Sequence, residues 1–227
     1  MRNYTHRLIP VMFLLIIFFI TACNQAEKEN PRPVEDQSQV EESDTEKEDT
    51  TNKEVNLKPE DYFPLTQGST WEYLGEGNEY ASFNREVIFV EGNRAQVKED
   101  NGGTVSASVF ETTDEAVTRI FFQGESYENE NYLNAESNEN LVILKAPLQV
   151  GTKWDTDDST REILDLNASL NTPAGEFEKV LKIKITYPDS TIYEYYKDGV
   201  GMVKREYISN EDYEVTSTLE KYEIKKP

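Results

Sequence analysis

Apolar and polar residues alternate along several stretches of the chain after residue 59. In 179–187 and 162–170 the apolar positions recur every second residue, and 105–109 repeats the pattern; the apolar sets are Leu181, Ile183, Ile185 and Tyr187, then Leu164, Leu166, Ala168 and Leu170, then Val105, Ala107 and Val109. A period of two places alternate side chains on opposite faces of a strand. Turn sequences rich in glycine, asparagine and proline separate these runs, and no long stretch has a helical period. Residues 59–227 are therefore predicted to form a β-rich, all-β domain of antiparallel strands.

The chain also contains an internal repeat. Segments 64–71 and 147–154 both read Pro-Leu-x-x-Gly-x-x-Trp, and similar strand starts follow at Arg85 and Arg161. We interpret each segment as a turn that leads into a strand, with Trp71 and Trp154 mostly buried at equivalent positions. The alternative is a pair of exposed tryptophans that stack on sugar or lipid. The repeat predicts one curved antiparallel sheet, half-barrel or sandwich-like, built from halves at 64–140 and 147–227; two subdomains are the alternative.

The first 23 residues follow the plan of an export signal. A start with two arginines precedes an apolar stretch at 8–20, and Ile20-Thr21-Ala22-Cys23 follows. This sequence resembles the lipobox of bacterial lipoproteins. The resemblance implies that residues 1–22 are a signal peptide and that Cys23 carries lipid, with palmitate among its acyl chains. The alternative is an ordinary secretory signal with a chance cysteine.

A charged segment follows the lipobox. Residues 23–58 contain an acidic stretch at 35–54 and few larger apolar side chains. Such a segment buries too little apolar surface to offset the conformational entropy lost on ordering. We therefore predict a disordered linker that acts as a spacer. A partner-binding tail is the alternative. The long acidic tether is similar to those of Gram-positive lipoproteins, which predicts anchoring at the outer face of the cell membrane.

Three phrases in the folded region also carry a resemblance. They are Tyr62-Phe63-Pro64-Leu65 and the segments 172–177 and 195–201. Together they resemble exported β-rich domains of uncharacterised Gram-positive envelope lipoproteins. The resemblance implies a curved antiparallel sheet and an extracytoplasmic location, and it brings no catalytic residues. Gly175 and Gly199 lie where the turns need positive φ.

Charge and residue usage restrict the chemistry. The formal charge is −21, which disfavours nucleic acid as a partner. Cys23 is the single cysteine and His6 the single histidine, so a chain cut before Cys23 has no histidine and no free thiol. A Ser-His-Asp triad and a histidine-ligated metal site are thereby excluded. We expect no catalytic residues, no cofactor and no metal; whether the acidic loop 155–158 binds calcium is left open.

These observations favour a non-enzymatic binding or accessory module of the cell envelope. Its expected partners are the membrane, through the lipid on Cys23, and an envelope protein, a wall polymer or a small ligand. A hydrolase of the cell wall that uses two carboxylates is one alternative. A purely structural envelope protein is the other.

Overall fold

The computed structural model describes residues 57–211 and 213–226. Cys23, the signal peptide at 1–22 and most of the predicted linker lie outside these residues. Among the described residues, no helix has the length and apolarity needed to cross a membrane.

The fold is all-β, as predicted. A 3₁₀ turn at Pro59–Tyr62 precedes twelve strands: β1 Thr70–Glu76, β2 Phe83–Glu91, β3 Arg94–Asp100, β4 Val105–Thr112, β5 Ala116–Gly124, β6 Leu141–Lys145, β7 Lys153–Asp155, β8 Thr160–Thr172, β9 Gly175–Thr186, β10 Ser190–Lys197, β11 Gly201–Ser209 and β12 Glu214–Glu223.

All twelve strands belong to one antiparallel sheet. Its order is β6-β5-β4-β3-β2-β1-β12-β11-β10-β9-β8-β7, so two six-stranded meanders meet where β1 pairs with β12. The sheet curves until it is nearly closed into a barrel. Its edge strands approach through side chains: the Trp154 indole on β7 donates a hydrogen bond to the carbonyl of Val142 on β6, at 3.0 Å. One curved sheet built from two halves is confirmed.

The two halves repeat each other at the level of backbone hydrogen bonds. Gly68 N donates to Val87 O at 2.8 Å, and Gly151 N donates to Ile163 O at 2.9 Å. Both glycines have positive φ, 81° and 88°. In each half the tryptophan then pairs across the ladder with an arginine, Trp71 with Arg85 and Trp154 with Arg161. The equivalence predicted from the sequence repeat is confirmed.

The core lies on the concave side of the sheet. Trp71 and Trp154 are 5% and 6% exposed, and Leu181, Ile183 and Ile185 are almost completely buried. The alternation predicted for β9 and the burial of both tryptophans are therefore confirmed. Gly175 and Gly199 have the positive φ expected of them.

The alternation predicted for β8 needs one correction. Ile163 is fully buried, whereas Leu164, which the pattern places with Leu166 on the core face, is not. The register with β9 shifts between Ile163 and Asp165, so one extra residue lies in β8 at this point. A β-bulge of this kind reverses which face the following residues occupy.

The loop between β5 and β6 packs against the sheet. Leu133 is 3% exposed and forms a second apolar cluster with Val109 and Phe121. Gln96 fixes the loop, since its amide donates to Glu130 O and accepts from Tyr132 N, both at 2.7 Å. This polar-looking segment is therefore an ordered cover over part of the first meander.

Candidate functional site

The sequence-predicted candidates do not converge on one site. Cys23 lies outside the described residues. Trp71 and Trp154 are buried, and their indoles donate to the backbone carbonyls of Val200 and Val142. Their role in the described structure is therefore packing.

The acidic loop 155–158 does not form a cluster of carboxylates. Asp155 accepts a hydrogen bond from Thr160 at 2.7 Å, and Asp158 accepts one from Thr156 at 3.5 Å. Among the described residues, no group of three histidine, cysteine, aspartate or glutamate side chains is arranged to hold a metal ion.

Five charged side chains form a cluster inside the sheet, here called the interior ion cluster: Arg85, Glu99, Arg161, Glu194 and Arg205. Arg85 Nε lies 2.6 Å from Glu99 Oε2. Glu194 forms two ion pairs: Arg161 Nη1 lies 3.3 Å from its Oε2, and Arg205 Nε lies 3.2 Å from its Oε1. The Tyr196 hydroxyl also donates to Glu194 at 2.7 Å. The cluster thus gives each carboxylate at least one guanidinium partner.

The charges of this cluster set the pKa of its carboxylates. Burial alone raises the pKa of Glu194, but Arg161, Arg205 and the Tyr196 hydrogen bond outweigh burial and lower the pKa to about 2. Burial likewise opposes ionisation of Glu99, and Arg85 overcomes it, so its pKa is lowered. A general acid for glycoside hydrolysis needs a raised pKa. These two carboxylates are therefore suited to ion pairing rather than to proton donation.

A cavity among aromatic side chains of the core has a volume of about 30 Å³, and its walls include Phe63, Trp71, Tyr73, Phe110 and Met202. That is the share of one water molecule in the liquid, far less than the roughly 300 Å³ of a small ligand site. This cavity is therefore too small to hold a ligand.

A groove of about 730 Å³ opens at one end of the sheet, where turns from both meanders meet. We call it the end groove. Its walls come from the 3₁₀ turn, the β4–β5 and β10–β11 turns, the β6–β7 connection and the β8–β9 ladder: Leu57, Lys58, Pro59, Tyr62, Asp114, Ala146, Pro147, Leu148, Gln149, Leu166, Asn167, Lys179, Lys197 and Asp198. Its volume lies within the usual range for small-molecule sites.

The end groove combines apolar walls with a charged rim. Leu57, Leu148 and Leu166 are partly buried and pack against the main core. Two rim lysines have carboxylate partners: Lys58 Nζ lies 2.7 Å from Asp114 Oδ1, and Lys197 Nζ lies 2.5 Å from Asp198 Oδ1. The rim therefore carries three ammonium groups and two carboxylates.

Lys179 is the rim residue with an unusual backbone. Its φ is 53°, which lies in the left-handed region that residues other than glycine and asparagine rarely adopt. It lies in a bulge, because Glu178 and Lys179 of β9 face the single residue Ser169 of β8 between the pairs Leu170–Phe177 and Ala168–Val180. Such a conformation is unfavourable by about 1–3 kcal/mol and recurs at ligand sites.

The end groove has no signature in the sequence, because its walls come from six separate parts of the chain. A local signal did mark the bulge. Buried residues in β9 are spaced by two at Leu181, Ile183 and Ile185, but by three between Phe177 and Val180. A break in strand period of this kind indicates a bulge.

No protein-family model and no curated protein matches the chain. Two solved structures are similar to it. One is a proposed lipoprotein from Parabacteroides distasonis ATCC 8503, 18% identical, with a TM-score of 0.48. The other is a proposed exported protein with a YmcC-like fold from Bacteroides fragilis NCTC 9343, 15% identical, with a TM-score of 0.45. Each match covers 71% of this chain and 98% of the other chain. Neither assigns a role to a residue of this chain.

Proposed function

We propose that this chain is an extracytoplasmic lipoprotein, held at the outer face of the cell membrane by lipid on Cys23, whose β domain is a non-enzymatic binding module. The end groove carries the binding part of the proposal. Its volume of about 730 Å³ and its mixed apolar and charged lining are those of a small-molecule site.

The sequence around Cys23 supports the anchor. The Ile20-Thr21-Ala22-Cys23 match follows a short apolar stretch, and lipidation with two or more acyl chains gives stable membrane attachment. Cys23 and Leu57 are 34 positions apart. A flexible chain of that length has an end-to-end distance of about 30 Å and reaches at most about 120 Å. The tether is long enough to hold the domain clear of the lipid head groups.

The place where the tether joins the domain supports the same arrangement. Leu57 and Lys58, the first described residues, line the end groove. The groove therefore lies where the tether enters the domain. Molecules of the envelope are the ligands that a domain tethered outside the membrane meets first.

A pair of adjacent substitutions tests whether the end groove binds. Gln149 lines the groove and is exposed, whereas Val150 is exposed and lies outside its walls. Soluble fragments from an enzymatic digest of the native envelope are mixed with the purified mature protein, and saturation-transfer NMR detects those that bind. We expect fragments that bind the native protein and V150W, and that are lost from Q149W because the indole fills the groove. No bound fragment, or equal binding to Q149W, contradicts the proposal.

A further inference from the structure

We propose that the end groove selects a soluble amphipathic anion, a small molecule with a phosphate or carboxylate group on an apolar ring or chain, and that Lys179 is the residue that holds the anionic group. This inference rests on the proposed binding role of the groove and adds the chemistry of its ligand.

The charges of the rim favour an anion. Lys58 pairs with Asp114 at 2.7 Å and lies 3.8 Å from Glu60, and Lys197 pairs with Asp198 at 2.5 Å. Lys179 is exposed, and none of the ion pairs among the described residues includes it. Lys179 is therefore the ammonium group of the rim that is left available for an anionic ligand. Ammonium groups bind phosphate and carboxylate through charge-assisted hydrogen bonds.

The net charge of the protein does not cancel this local preference. The chain carries a formal charge of −21, but exposed charges are screened beyond about 8–10 Å at physiological ionic strength. A ligand inside the groove therefore experiences mainly the rim charges. The same overall charge disfavours approach of an extended anionic bilayer, and for this reason the ligand is placed in solution rather than in the membrane.

The walls favour an apolar portion beside the anionic group. Leu57, Pro59, Leu148 and Leu166 are among the residues of its walls. An apolar ring or chain between them removes leucine and proline surface from water, which inorganic phosphate does not do.

The backbone conformation of Lys179 favours a role in binding over a role in folding. A glycine at a φ of 53° has no steric penalty, so lysine is not the residue that a bulge alone requires. A lysine nevertheless occupies this position in the wall of the groove. A positioned charge explains a lysine at this place.

Three probes and two lysines test the proposal with the lipidated protein in phosphatidylcholine nanodiscs. The probes are phenyl phosphate, inorganic phosphate and benzyltrimethylammonium, each titrated by isothermal titration calorimetry. We expect phenyl phosphate to bind at least about fivefold more tightly than either of the others. K179Q should weaken its binding by about five- to tenfold, as expected for the loss of a charged partner. K184Q is the matched control, because Lys184 lies on the same strand outside the groove.

K179G shows whether a loss of binding comes from the missing charge or from a loss of folded protein. Glycine relieves the left-handed conformation, so this variant should melt no lower than the native protein while it loses phenyl phosphate binding like K179Q. Unchanged binding in either Lys179 variant, equal weakening in K184Q, or no phenyl phosphate binding overturns the proposal.

The remaining outcomes separate this inference from the proposed function. If benzyltrimethylammonium binds as tightly and Q149W abolishes its binding, the groove is a binding site but the preference for anions is wrong. Equal binding of inorganic phosphate removes the apolar part of the proposal. If nanodiscs with phosphatidylglycerol displace phenyl phosphate and phosphatidylcholine nanodiscs do not, the ligand is a lipid head group, which overturns the assignment to a soluble molecule.

Discussion

Arg161 Nη1 lies 3.3 Å from Glu194 Oε2, and the side chains of both residues are about 95% buried. Arg161 also donates to the carbonyl of Ile143 on the edge strand β6, at 3.3 Å. This arginine therefore joins the centre of the interior ion cluster to the place where the sheet nearly closes. A single side chain thus links the buried ion pair with the contact between the sheet and its edge strand β6.

The first prediction concerns Glu194. E194Q leaves Arg161 and Arg205 without their carboxylate, and the loss of one partner of a buried pair typically destabilises a protein by about 3–5 kcal/mol. Denaturant unfolding of the mature protein measures the change. E111Q is the control, since the Arg94–Glu111 pair is about one-third exposed, and such pairs contribute about 0–1 kcal/mol. Equal losses of unfolding free energy in E194Q and E111Q would show that the buried pair contributes no more to stability than the exposed one.

The second prediction is a dependence of stability on acid. The pKa of Glu194 is lowered to about 2 in the folded protein from an ordinary value of 4.5. Its contribution to stability is therefore complete above about pH 5 and is lost as the pH falls towards 2, because the unfolded chain takes up the proton first. Unfolding free energies at a series of pH values should fall more steeply for the native protein than for E194Q in this interval. Parallel curves would refute the assignment.

The third prediction concerns the tryptophans of the repeat. W71A and W154A should each destabilise the domain by about 3–5 kcal/mol, because each removes a buried side chain and leaves a cavity. Both indoles also donate to backbone carbonyls, so W71F and W154F should be milder but still destabilising. Native fluorescence should be blue-shifted and resistant to iodide. Emission typical of indole in water would contradict the burial of both residues.

The fourth prediction concerns the anchor. C23A should not incorporate an alkyne-labelled palmitate and should keep residues 1–22, because the thiol is the acceptor of the lipid. Labelling in growing cells followed by mass spectrometry of the N-terminus measures both effects. S43A, in the acidic segment, is the control and should be labelled and processed like the native protein. Normal labelling and processing of C23A would overturn the lipoprotein assignment.

The fifth prediction places the boundary between tether and domain. Deletion of 24–54 should leave the melting temperature almost unchanged, because that segment is highly charged and has few apolar side chains. Deletion of 24–58 should lower it, since Leu57 packs against the core and Lys58 pairs with Asp114. Differential scanning calorimetry compares the two. A large loss of stability in the shorter deletion would show that the segment before Leu57 packs on the sheet.

The sequence by itself determined the local structure. The period of two in 179–187 identified β9 and its buried face, and the repeated Pro-Leu-x-x-Gly-x-x-Trp segments identified two equivalent turns. Both results follow from interactions between residues close in the chain. Alternation sets the face of a side chain, and a glycine with positive φ sets a turn.

Tertiary structure alone decided the closure of the sheet, the partners of Arg161 and the end groove. Arg161 is buried on β8, but its partner Glu194 is 33 residues away and Arg205 reaches Glu194 from a third strand. Bulges in β8 and β9 move Leu164 off the core face and turn Lys179 into the groove. The physical reason is that a strand pattern specifies a face, whereas curvature, bulges and strand order determine which distant faces meet.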